Sequence, residues 1–205
     1  MHKKNLKFAG IPLTNAKKVL IMLHGRGANA ADILFLVNYL NVENYSIVAP
    51  EATNHTWYPF SFLAPPHQNE PWLSSALQLI HEIVNDVNDS GIKSSRIYFL
   101  GFSQGACLTL EYIARNATEF GGGIAFTGGL IGDKIYNENY KGDFQQTPIF
   151  IGTANPDIHV PVSRVEATSG LLKQMNANVR LKIYNNIGHT IVEDEISNAN
   201  DFVFS

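Results

Sequence analysis

Runs of apolar, β-prone residues alternate with helically spaced apolar residues along most of the chain. Val19-Leu20-Ile21-Met22-Leu23 is apolar at every position, the pattern of a strand covered on both faces. A glycine-rich turn follows it, and then a helical run predicted over residues 31–40. Residues 46–49 read as a second, short strand. Leu73, Leu77, Ile80, Val84 and Val87 recur at helical spacing, and Ser90-Gly91 ends that helix. Residues 96–100 predict the third strand, with a helix after Ser103. Residues 123–126 and 148–151 predict further strands. A helix carrying Val162, Val165, Leu172 and Met175 separates the latter from a strand over 179–184, and a final helix is expected from about 190 toward 204. Alternation of this kind predicts an α/β fold, a mostly parallel central sheet with helices on both faces. No repeat, low-complexity tract or linker interrupts it, so residues 1–205 are expected to form a single domain.

One segment breaks the alternation. Residues 51–71 lack periodicity and hold Trp57, Tyr58, Phe60 and Phe62. A loop that long inside a compact domain is usually functional. At the carboxyl edge of such a sheet its aromatics are expected to wall a ligand site.

The chemistry concentrates at Gly101-Phe102-Ser103-Gln104-Gly105, which follows the third strand and opens an apolar helical run. In that strand–turn–helix context G-x-S-x-G forms a nucleophile elbow: the turn strains the serine backbone, and the glycines let neighbouring elements pass close. A serine hydroxyl needs a base within hydrogen-bond reach and a third group to orient that base. Where nucleophile, acid and histidine arrive in that chain order, each just after a strand, His189 stands at the place for the base, behind Asn185-Asn186-Ile187-Gly188. The tail residue His2, the loop residues His55 and His67, and His81 on a helix fit that place less well. Asp157, shortly after the strand ending near Gly152, is the candidate acid, and Asp133 is its rival. The oxyanion of an acyl-transfer intermediate needs two converging backbone N–H donors. Gln104, next after the serine, offers one; Arg26, in the turn Leu23-His24-Gly25-Arg26-Gly27, offers the other. His24 reads as shaping that turn and Cys107 as a small core residue.

The remaining composition narrows the picture. Fifteen Lys and Arg against 18 Asp and Glu give a net charge of −3, which provides no basic footprint for nucleic acid or anionic lipid. A lone cysteine excludes an intrachain disulfide and a cysteine-cluster metal site. No apolar run reaches the ~20 residues of a membrane span, and the basic amino terminus lacks a signal-peptide core. The expectation is a cytoplasmic protein without stable membrane insertion or metal, with a homodimer left open.

With these pieces placed, nearly the whole chain resembles the phospholipase/carboxylesterase family of small α/β-hydrolases, relatives of acyl-protein thioesterases. The resemblance rests on Leu23-His24-Gly25-Arg26-Gly27, Gly101-Phe102-Ser103-Gln104-Gly105-Ala106, Asp157 with Val160-Pro161, and Gly188-His189. It implies an α/β-hydrolase fold with minimal or no cap domain. It also implies a cofactor-free Ser103/Asp157/His189 triad hydrolysing esters or thioesters, with N–H groups of Arg26 and Gln104 as oxyanion hole. Two departures stand out: Pro59 follows Trp57-Tyr58 where the family commonly has aspartate, and Gly128-Gly129-Leu130-Ile131 replaces a bulkier Trp-Leu-Pro stretch. The long loop is also shorter than in the thioesterases, so Trp57, Tyr58, Phe60 and Leu130 are expected to wall a compact pocket for short or medium acyl chains of a small-molecule ester. A thioesterase, a lysophospholipase and a catalytically silent binding scaffold are the competing readings.

Overall fold

Strands that are apolar at every position must be covered on both faces, and the computed structural model, which describes Met1 to Ser205, stacks them in the middle of one sheet. Seven strands are present: β1 (Leu6–Gly10), β2 (Lys18–Leu23), β3 (Tyr45–Pro50), β4 (Ile97–Phe102), β5 (Gly122–Phe126), β6 (Pro148–Asn155) and β7 (Asn178–Asn185). Their order is β1-β3-β2-β4-β5-β6-β7, with only the β1–β3 pair antiparallel. This is the mostly parallel sheet of an α/β-hydrolase fold.

Helices α2 (Trp72–Asp89), α3 (Gln104–Arg115) and α4 (Val162–Gln174) cover one face and share its larger apolar core. Helices α1 (Ala30–Leu34) and α5 (Glu193–Val203) cover the other. In α2, Leu73, Ala76, Ile80, Ile83, Val84 and Val87 are buried at three- and four-residue spacing. None of the helices is long and apolar enough to cross a membrane.

Three expectations change at the edges. The strand β1 went unpredicted, because Leu6-Lys7-Phe8-Ala9-Gly10 is an edge strand that leaves Phe8 67% exposed and carries no continuous apolar run. The helix expected over 31–40 stops at Leu34 and tightens into a 3₁₀ turn, Phe35–Tyr39. Its start is fixed by Asn29, whose side chain accepts the Ala31 and Asp32 N–H groups. The last helix begins at Glu193 rather than near 190, with the Glu195 Oε2 accepting the Val192 N–H. Glu195 is fully buried against Gly152 of β6, its Oε1 has no partner, and burial pushes its carboxyl up to about 7.

Candidate active site

The carboxyl ends of β4, β6 and β7 lie along one edge of the sheet, with β5 between the first two, and the loops leaving them carry Ser103, Asp157 and His189. Ser103 sits between β4 and α3 at φ 53° and ψ −116°, a conformation L-residues rarely adopt. The turn is this tight because both flanking glycines are needed: a Cβ on Gly101 would meet the Gly105 carbonyl, and one on Gly105 would meet the Leu23 carbonyl.

His189 Nε2 lies 2.8 Å from Ser103 Oγ, and its Nδ1 lies 2.7 Å from Asp157 Oδ2. The carboxylate can only accept, so Nδ1 carries the hydrogen and Nε2 faces the hydroxyl as an acceptor. The second Asp157 oxygen accepts the His159 N–H at 2.7 Å and the Val160 N–H at 2.9 Å. Burial of Asp157 opposes its ionisation, but the bonds from His189, His159 and Val160 outweigh burial and hold its carboxyl below the usual carboxylate range. The rival Asp133 is elsewhere: its Oδ1 accepts the Tyr136 hydroxyl on the surface. Asp194 pairs with Lys182 and Tyr184.

The other histidines take different positions. His24 is buried; its Nε2 accepts the Ala52 N–H, so its Nδ1 donates to the Gly25 carbonyl and holds the turn in shape. His2 is not a loose tail residue: its Nδ1 accepts the Thr53 N–H, its Nε2 donates to the Trp57 carbonyl, and its ring packs between Trp57 and Trp72. His81 meets the Tyr112 hydroxyl. His159, which no motif in the sequence marks, lies edge-on to His189 with ring centroids 5.0 Å apart. Only its place two residues after Asp157 could have drawn attention to it.

The Arg26 N–H has no acceptor within the protein, and Gln104 is the first residue of α3, where backbone N–H groups lack intrahelical partners. The side chains of the same two residues make contacts of their own. The Arg26 guanidinium donates to the Thr56 hydroxyl and to the Pro59 and Phe60 carbonyls at 3.0, 2.9 and 2.7 Å. The Gln104 carboxamide accepts the Trp57 N–H at 2.9 Å and donates to the Tyr58 carbonyl at 2.8 Å. Both side chains therefore tie the aromatic loop down.

A groove of about 720 Å³ opens over Ser103, lined among others by Tyr58, Phe60, Phe62, Leu63, Phe102 and Ile158. Two of the expected wall residues are not in it. Trp57 is fully buried, its Nε1 donating to the His24 carbonyl at 2.8 Å; it turned inward because its large ring fills the core beside that turn. Leu130 is fully buried too, with its N–H held by Thr168 Oγ1 at 3.0 Å. Tyr58 and Phe60 do line the groove, Phe60 from its open side and Tyr58 from beneath, with a buried hydroxyl that finds no partner. Cys107 is buried as expected, yet it also reaches the groove floor.

Fold and site together define an α/β-hydrolase. The chain is a hydrolase of the phospholipase/carboxylesterase family, whose sequence model matches residues 10–204. It is similar, at 53% identity and a TM-score of 0.98, to the crystal structure of the phospholipase/carboxylesterase from Dyadobacter fermentans DSM 18053, covering 100% of this chain and 98% of that one. Acyl-protein thioesterase 1 of Saccharomyces cerevisiae is 27% identical over 214 residues, 92% of each chain. A probable carboxylesterase SOBER1-like protein of Arabidopsis thaliana is 28% identical over 153 residues, 75% of this chain and 58% of the relative's own length.

Proposed function

We propose that this protein is a cytoplasmic, single-domain serine carboxylesterase that hydrolyses short- and medium-chain esters of small molecules through an acyl-enzyme. Ser103 Oγ attacks the ester carbonyl while His189 Nε2 takes its proton and Asp157 steadies the resulting imidazolium. The oxyanion accepts the N–H groups of Arg26 and Gln104. Collapse of the intermediate expels the alcohol, which takes the proton from His189. Water then repeats the sequence on the acyl-enzyme, passing its proton to His189 and releasing the carboxylic acid and Ser103. The observation that carries this reading is the chain of contacts from Asp157 through His189 to Ser103, 2.7 and 2.8 Å, ending on a serine in strained backbone.

The half-open groove, with Phe60 and Ile158 54% and 88% exposed, supports short and medium acyl chains over a long enclosed channel. Thioester hydrolysis stays within reach of the same chemistry, as the name of the yeast relative suggests. A fluorophosphonate probe tests the core of the proposal. Wild-type protein is expected to be labelled and to hydrolyse p-nitrophenyl butyrate, while Ser103→Ala and His189→Gln lose both. Labelling that persists in Ser103→Ala would sink it.

A further inference from the structure

The two residues proposed to hold the oxyanion come from different parts of the chain, Arg26 from the turn after β2 and Gln104 from the start of α3. Their N–H groups must converge on one point, and a shift of either weakens the hole. One side chain connects them. The half-buried Thr56 hydroxyl accepts from Arg26 Nη1 at 3.0 Å and from Gln104 Nε2 at 3.2 Å, and it donates to the Tyr58 carbonyl at 3.0 Å. A hydroxyl offers one donor and two acceptor sites, so this oxygen is fully used.

The carboxamide cannot be turned over. Its Oε1 faces the Trp57 N–H, a donor, and its Nε2 faces the Tyr58 carbonyl, an acceptor. The guanidinium is likewise fixed, by the Pro59 and Phe60 carbonyls. Each oxyanion residue is therefore anchored through its own side chain, and both anchors meet at Thr56.

We propose that Thr56 is a positioning residue of the oxyanion hole, holding the backbone donors of Arg26 and Gln104 in register. It does not touch substrate; it acts through the two residues that do. This inference rests on the reading of Ser103, Arg26 and Gln104 given above. A purely structural Thr56, one that only seats the aromatic loop, would instead be expressed in the groove and in stability.

The test is Thr56→Val, which keeps the shape and removes the hydroxyl, beside Thr56→Ser, which keeps the hydroxyl. Losing an oxyanion donor outright lowers kcat by about 10²–10³, so a misaligned one is expected to lower it roughly 10- to 30-fold. With an acetate ester, Thr56→Val should lose kcat by that factor with KM unchanged. A trifluoromethyl ketone, which forms an oxyanion on Ser103, should bind more weakly by the same factor. The pH profile should keep its midpoint, and Thr56→Ser should recover most of the activity. Wild-type kcat in Thr56→Val, a loss carried by KM, a ketone affinity that does not follow kcat, or failure of serine to rescue would each overturn the proposal. Should Thr56→Val not fold, Arg26→Met removes the guanidinium while keeping the backbone N–H, and the same kcat and ketone losses are expected of it. A wild-type protein that neither turns over esters nor takes the fluorophosphonate would instead remove the reading on which the inference stands.

Discussion

On one side of Ser103 the segment from Thr56 to Phe60 is bound to the scaffold by the Arg26 and Gln104 side chains and by the Trp57 indole sunk into the core. On the other side, Asp157 to Val160 is held by Val160 in the core and by one carboxylate, whose one oxygen gathers the loop N–H groups while the other orients His189. Ile158 at the tip of this second wall is almost wholly in solvent. The first wall is held redundantly, so single losses should weaken it by degrees. The second wall and the base share their one polar anchor, the Asp157 carboxylate, and its loss strikes structure and chemistry together.

Asp157 is where that contrast breaks most sharply. In Asp157→Asn the amide oxygen can still accept the His159 and Val160 N–H groups, but the amide nitrogen cannot accept from His189 Nδ1. Activity is expected to fall about 10⁴-fold, the size of the comparable loss in serine proteases, with little loss of stability. Asp157→Ala should lose the loop as well, and Asp133→Asn should behave as wild type. Steady-state kinetics and thermal melts of the three variants check this, and a larger kinetic loss in Asp133→Asn would move the acid.

Stability gives the reverse ranking of the walls. Trp57→Ala empties a large buried site and is expected to cost about 3–5 kcal/mol. Ile158→Ala, at the exposed tip, should stay within about 0.5 kcal/mol of wild type. Urea denaturation reads both, and equal costs would erase the distinction between the walls.

These differences also mark what could be read from the chain. The strands β2 to β6 were legible because burial on both faces leaves apolar runs, Ser103 and Asp157 because each follows such a run, and His189 because it follows the alternating run of β7 in the expected chain order. The elbow glycines carried their own steric reason. The aromatic loop was recognisable as unusual, but its composition does not encode which ring turns inward, and Trp57 and Phe60 went opposite ways. The second task of Arg26 was hidden for a different reason: its acceptors lie some thirty residues further along, in a segment without periodicity. Likewise β1 is an edge strand whose pairing with β3, rather than its pattern, makes it a strand.

The buried Glu195 ties folding to the uptake of a proton. Its carboxyl titrates near 7 in the folded protein against an ordinary 4.5 when the chain is open, with burial as the main cause. Below pH 4.5 both states hold the proton, and the group has no influence on their balance. Between about 4.5 and 7 only the folded state keeps it, so this group's contribution makes stability decline as pH rises, by up to about 1.4 kcal/mol per unit and about 3 kcal/mol in all. Above 7 both states are ionised and the decline ends. In a series of denaturation curves across that window, Glu195→Gln should flatten the slope relative to wild type; an unchanged slope would show that the proton is held elsewhere. A side chain that never meets substrate thus gives the fold its own preference for mildly acidic solution.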